Sequence, residues 1–106
     1  MRVHAESPTI RPAAVAGSFY PRDPSLLRQT GKKLLTKGPG PQTDRPKALI
    51  APHAGYAYSG PVAGRAFATI GDGAASITRV VVIGPAHYIS LRGIAVRRQR
   101  RLILPL

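Results

Sequence analysis

The pattern of apolar and polar positions predicts a strand–helix–strand order in the second half of the chain. Lys47–Ala51 and Arg79–Gly84 are short, almost wholly apolar runs, typical of strands buried on both faces of a parallel sheet. Pro52 to Thr78 is long enough for a parallel crossover, and Gly93–Val96 is a candidate third strand. The crossover contains a predicted helix that starts at Ser59-Gly60-Pro61 and ends at Gly71-Asp72-Gly73. The apolar stripe of this helix consists of Val62, Ala63, Ala66, Phe67 and Ile70. We therefore expect an α/β fold with a partial parallel-sheet βαβ core.

A second helix is predicted before this unit. Asp23-Pro24 has the pattern of an N-cap followed by proline at the first helical position. The helical spacing that follows is formed by Leu26, Leu27, Thr30, Leu34 and Leu35. Gly38-Pro39-Gly40-Pro41 should end the helix and open a linker to Pro46. Residues 1–12 show no periodicity and are expected to form a mobile arm, whereas Phe19 and Tyr20 are expected to anchor the core.

Composition limits the class of protein. A chain of 106 residues with 43% hydrophobic residues has room for one small domain. It contains no cysteine, which excludes disulfides, thiolate metal ligands and cysteine nucleophiles. No apolar run is long enough for a membrane helix or a signal peptide, so we expect a cytoplasmic protein without a membrane partner.

Charge adds a competing hypothesis. The formal net charge is +12, and four arginines without any acid lie in residues 97–106. Such a tail attracts nucleic acid non-specifically, and the alternative function is therefore a small basic nucleic-acid-binding protein. The tail has no aromatic residue for base stacking and the chain has no nucleic-acid-binding motif. The glycine-rich nucleotide fingerprints are also missing, so no nucleotide cofactor is expected.

Two histidines follow the two predicted strands. His53 lies in Ala51-Pro52-His53-Ala54-Gly55-Tyr56, and His87 lies in Gly84-Pro85-Ala86-His87-Tyr88. If the strands are parallel, both loops leave the carboxyl edge of the sheet, where open α/β sheets place ligands. A single histidine at such a position more often forms a structural hydrogen bond than binds a ligand. Two histidines at matching junctions predict one site that both side chains line. Two imidazoles suit a divalent Fe, Cu or Zn ion, normally with a third protein ligand.

Residues beside His53 are candidates for the pocket or for supporting the ligands. Tyr56 and Tyr58 are either pocket-lining groups with phenolic proton donors or packing residues of the loop. Gly55 more often serves turn geometry than phosphate binding. No catalytic residue is identified, because Ser59 lacks a nucleophile-elbow context and no acid lies near either histidine in the sequence.

Three motifs together resemble the Memo family, whose prokaryotic members are called AmmeMemoRadiSam system protein B. They are Arg11–Pro21, which contains Ala16-Gly17-Ser18-Phe19-Tyr20-Pro21, then Ala51–Gly60, which contains His53-Ala54-Gly55-Tyr56, and then Ile83–His87, which contains Gly84-Pro85-Ala86-His87. The resemblance implies a fold similar to class III extradiol dioxygenases, with a metal site at the sheet edge to which His53 and His87 contribute. It also implies association with an AMMECR-type protein and a radical-SAM enzyme.

The chain departs from this family in ways that bear on activity. Ala86 and Tyr88 stand where the family usually has serine and often histidine, and the remaining family ligand, commonly cysteine, belongs to a later region. We expect residues 13–96 to form the amino-terminal part of a Memo-like domain, and residues 97–106 to be a basic tail of frameshift origin or a true extension. The expected function is a truncated Memo-like protein with a partial two-histidine metal site, inactive as an enzyme on its own. A metal-handling binding protein without turnover would use the same histidines.

Overall fold

Two helices and one short strand pair make up most of the regular structure in the described part of the chain. The computed structural model describes residues 10–36, 38, 44–96, 101, 102 and 105. The elements in chain order are strand β1 (Ile10–Arg11), helix α1 (Pro24–Thr36), helix α2 (Tyr56–Ala68), a 3₁₀ helix (Gly71–Ser76) and strand β2 (Arg101–Leu102). No helix among these residues has the length and apolar content needed to cross a bilayer.

Helix α1 forms where the sequence predicts it. The backbone N–H of Leu26 donates to Oδ1 of Asp23 at 2.8 Å, which is the expected N-cap bond. The N–H of Leu27 donates to the Asp23 carbonyl at 2.9 Å, and Leu27 is 6% exposed. The predicted linker begins after α1, but residues 37 and 39–43 lie outside the described residues. The predicted cap and the predicted position of α1 are thus confirmed.

Helix α2 differs from its prediction at both ends. It begins at Tyr56, with Gly55 as its N-cap residue, rather than at Ser59-Gly60-Pro61. It ends at Ala68, and a 3₁₀ helix occupies the predicted Gly71-Asp72-Gly73 stop. The early start has a tertiary cause, because the N–H of Tyr56, one of the N–H groups left free at a helix start, donates to the Phe19 carbonyl at 2.7 Å.

Helix α2 packs on α1 through small residues rather than through its predicted apolar stripe. Its buried residues are Ser59, Gly60 and Gly64, whereas Val62 and Phe67 are exposed. A Cβ added at Gly60 would lie 3.1 Å from Leu34 Cδ1, and one added at Gly64 would lie 2.5 Å from the Leu34 carbonyl oxygen. The two backbones approach this closely because no side chain separates them, so this part of the stripe prediction is wrong.

The predicted βαβ core is absent from the described residues. Lys47–Ala51 and Arg79–Gly84 form no strand, and neither does Gly93–Val96. Ile50 is 100% exposed, Val80 is 75% exposed and Ile83 is 91% exposed. A strand is stable only where neighbouring strands pair with its backbone, and a parallel sheet also needs both faces covered. Neither condition is met here, so the finer fold prediction is not confirmed and the fold is helical with little strand.

The described ends of the chain form the short sheet. Strand β1 pairs with β2 in parallel, with Ile10 opposite Arg101 and Arg11 opposite Leu102. These residues belong to the predicted mobile arm and the predicted basic tail, and this pairing was not expected. Residues 1–9 and most of 97–106 lie outside the described residues.

The packing is loose for a chain of this length. The radius of gyration is 16.4 Å, compared with about 13 Å for a compact domain of this size. Leu27 is the one buried hydrophobic residue among those that the structure describes. The predicted core anchor Phe19 is 46% exposed, and Tyr20 is half-buried. The fold therefore carries a large area of uncovered apolar surface.

Candidate metal centre

A turn near the start of the described chain supports the loop that carries His53. Gly17 has φ +87°, and its N–H donates to the Tyr20 carbonyl at 2.7 Å. Only glycine adopts this backbone conformation without strain. The turn brings the Phe19 carbonyl to the N–H of Tyr56, and a Cβ added at Gly55 would lie 3.3 Å from Phe19 Cα. The first and second sequence motifs are thus in direct backbone contact.

Ser59 fixes the same loop from the helix side. Its hydroxyl donates to the Ala54 carbonyl at 3.0 Å, and its N–H donates to the Gly55 carbonyl at 3.0 Å. Ser59 is 8% exposed, so both of its bonds lie at the packed end of α2. Ser59 was predicted to start the helix and was rejected as a nucleophile; in the structure its hydroxyl holds the backbone directly after His53.

The structure places the two predicted metal ligands against each other. Nε2 of His53 and Nε2 of His87 are 3.0 Å apart, and the ring centroids are 5.1 Å apart with a 46° tilt. Both side chains are exposed to solvent. At this distance one neutral imidazole donates its Nε2–H and the other accepts it, which requires different tautomers on the two rings. The two loops therefore converge although the strands predicted to precede them are not formed.

The histidine pair has no third ligand nearby in the described chain. Among residues 10–36, 38, 44–96, 101, 102 and 105, no three side chains of histidine, cysteine, aspartate or glutamate are grouped to hold a metal. The chemistry that this pair provides is that of two neutral nitrogen donors open to water.

The remaining predicted site residues lie in different environments. Tyr58 is 87% exposed, and Gly55 is buried against Phe19. Tyr56 packs its ring 6.1 Å from the ring of Tyr20 and lines a cavity along α1 instead of the histidine pair. Tyr88, for which no role was predicted, has its ring 6.2 Å from that of His87.

The cavity along α1 was not anticipated from the sequence. Its volume is about 350 Å³, and Arg28 and Lys32 line it together with Tyr20 and Tyr56. The signal available in the sequence was the spacing of Arg28 and Lys32, which places two cations on one face of a helix. Nothing in the sequence placed the two tyrosines at the same cavity, because their position depends on the contact between the Gly17 turn and α2.

Comparison with known proteins gives a consistent result. A protein-family profile described as "Memo-like protein" matches residues 11–106. A MEMO1 family protein of Schizosaccharomyces pombe is 41% identical over 100 residues, which cover 94% of this chain and 31% of that protein. A MEMO1 family protein of Methanothermobacter thermautotrophicus is 40% identical, with 92% of this chain and 37% of that protein covered. The protein memo-1 homolog of Caenorhabditis elegans is 36% identical, with coverages of 91% and 27%.

The extent of these matches adds two facts. The chain spans about a third of the length of the curated relatives that it matches. The Memo-like part was expected to end at Val96, but the family match continues through residue 106. The basic segment 97–106 is thus included in the family match. No solved structure matches the chain significantly.

Proposed function

Because this chain belongs to the Memo family, we propose that it binds a divalent transition metal, Fe, Cu or Zn, through His53 and His87. The pair forms part of a metal centre related to those of non-haem dioxygenases. The observation that carries this proposal is the 3.0 Å separation of the two Nε2 atoms, which belong to loops 34 positions apart.

The spacing of the nitrogens fits the geometry of a shared metal ion. With metal–nitrogen bonds of about 2.05 Å, two nitrogens lie about 2.9 Å apart at a right angle and about 3.3 Å apart at a tetrahedral angle. The 3.0 Å found here lies between these values. A metal ion bound by both nitrogens would replace the shared hydrogen bond, and both rings would have to turn so that their lone pairs point at the ion.

The chain's own groups define what the pair does. Both imidazoles would bind as neutral donors through Nε2, so the ring that carries the shared Nε2 proton would have to change tautomer and hold that proton on Nδ1. The Ser59–Ala54 bond and the contact between Gly55 and Phe19 keep the His53 loop in place. A bound metal of this kind supplies Lewis acidity, with one-electron chemistry in the case of Fe or Cu.

Two protein ligands give a weak and incomplete centre. Catalytic sites of this type normally use three protein ligands, and the remaining positions here would be filled by water or buffer. We therefore propose that the 106-residue chain binds metal without turnover. Turnover of a catecholic substrate by the chain alone would identify it as an enzyme and refute this part of the proposal.

The test is a titration of the full chain with metal, monitored by calorimetry. We expect Zn²⁺ or Cu²⁺ to bind the parent chain with a stoichiometry of one, and to bind His53→Ala and His87→Ala at least tenfold more weakly. His4→Ala is the matched control, since it removes the third histidine and leaves the pair intact. The proposal is wrong if the double variant His53→Ala,His87→Ala binds metal as well as the parent.

The pH dependence has a defined sign. A ligating imidazole must be neutral, so protons compete with the metal for the same nitrogens as the pH falls. Affinity should therefore be at least tenfold higher at pH 8 than at pH 5. Equal affinity at both pH values would indicate carboxylate or backbone ligands instead of the histidines.

A further inference from the structure

The cavity along α1 has an apolar and aromatic lining. Leu27, the buried leucine of α1, and Leu35, two helical turns further along, are its leucines. Tyr20 and Tyr56 also line it, with their rings inclined at 48°. At about 350 Å³ the cavity lies at the lower end of the range for small-molecule sites. Its volume and lining suit one apolar group of small-molecule size.

Charge at the cavity has a single sign. Arg28 and Lys32 are four residues apart on α1, so they lie on one face of the helix and repel each other. None of the acidic residues that the structure describes, Asp23, Asp44 and Asp72, lines the cavity. An anion placed between these two cations is attracted by both and relieves their repulsion. The cavity therefore combines an apolar and aromatic lining with two cations.

We propose that this cavity binds an amphipathic monocarboxylate of about a dozen heavy atoms. The apolar body would lie against Leu27 and the two tyrosine side chains, and the carboxylate would lie between Arg28 and Lys32. The guanidinium of Arg28 matches a carboxylate with two parallel hydrogen bonds, and the Lys32 ammonium adds a point charge. This site is separate from the histidine pair, because neither His53 nor His87 lines it.

Gly31 provides a direct way to block the site. It lines the cavity, and a Cβ added there meets nothing within 4 Å. A larger side chain at this position is expected to extend into the cavity, because its Cβ meets no neighbour and the residue lines the cavity. The helix also gains stability, since glycine in a helix interior is less favourable than leucine.

The experiment uses 2-naphthoate as the probe, titrated into the full chain and followed by its fluorescence. The neutral isostere 2-naphthalenemethanol is titrated in parallel. We expect naphthoate to bind at least tenfold more tightly than the alcohol, and only naphthoate to weaken when salt is raised from 50 to 500 mM. Arg28→Gln,Lys32→Gln should lose at least tenfold in naphthoate affinity.

Two controls complete the test. Lys33→Gln removes one charge from the same helix but not from the cavity, and should bind naphthoate like the parent. Gly31→Leu should abolish binding of both probes while far-UV circular dichroism shows an intact helix. Equal binding of acid and alcohol, or naphthoate affinity unchanged in Arg28→Gln,Lys32→Gln, would overturn the proposal and show only general adsorption to exposed apolar surface.

Discussion

Replacing Gly64 by alanine tests how α1 and α2 are held together. The new Cβ would lie 2.5 Å from the Leu34 carbonyl oxygen, 2.8 Å from the Leu34 carbonyl carbon and 3.0 Å from Leu34 Cβ. Comfortable carbon contacts are about 3.5–4.0 Å, so α1 would have to move away by roughly 1 Å. The nearest atoms belong to the α1 backbone and cannot rotate aside. Gly64→Ala should therefore open the interface that buries Gly60 and Gly64.

The size of the effect follows from two opposing contributions. Alanine is favoured over glycine in a helix interior by about 1 kcal/mol, and overpacking of this kind costs about 1–3 kcal/mol. Gly31→Ala is the matched control, because it makes the same chemical change in α1 where the added Cβ meets open space. The helix-propensity gain cancels between the two variants. Gly64→Ala should thus be less stable than Gly31→Ala by about 1–3 kcal/mol.

The assay is loss of helix signal at 222 nm during heating, together with amide exchange in α1. For a domain of this size, 1 kcal/mol corresponds to a shift in midpoint of about 4–8 °C. Gly31→Ala should have a higher midpoint than the parent chain. Gly64→Ala should have a lower midpoint than Gly31→Ala, and its amides near Leu34 should exchange faster. Equal midpoints for the two variants would show that the close approach at Gly64 does not hold the helices together.

Three further predictions concern the cap, the exposed apolar run and the basic segment. Asp23→Ala should destabilise α1 by about 1 kcal/mol in chemical unfolding, because the Leu26 N–H loses its acceptor, whereas Asp23→Asn should keep most of the stability. The parent chain should be marginally stable and should self-associate through its exposed apolar run. Val82→Lys should lower the average mass measured by light scattering, whereas Thr78→Lys, outside the apolar run, should leave that mass unchanged. Changing the arginines at 97, 98 and 100 to glutamine should reduce the salt slope of non-specific DNA binding by up to about 2.7; an unchanged slope would exclude these arginines from the contact.

The sequence by itself determined the features that depend on neighbouring residues. Asp23-Pro24 and the leucine spacing were enough to place α1, because an N-cap bond and helical periodicity are local. The matching positions of His53 and His87 after apolar runs were enough to predict that they meet, and their Nε2 atoms are 3.0 Å apart. The three motifs were enough to identify the family, which the comparisons show.

Tertiary structure decided the features that depend on distant partners. The apolar run at Arg79–Gly84 has high strand propensity, but it forms no strand because no neighbouring strand pairs with it among the described residues. Helix α2 begins at Tyr56 because the Phe19 carbonyl lies there to accept its N–H, and it buries Gly64 because Leu34 approaches that point. Each of these outcomes rests on a contact between segments far apart in the chain, and local propensity carries no information about such contacts.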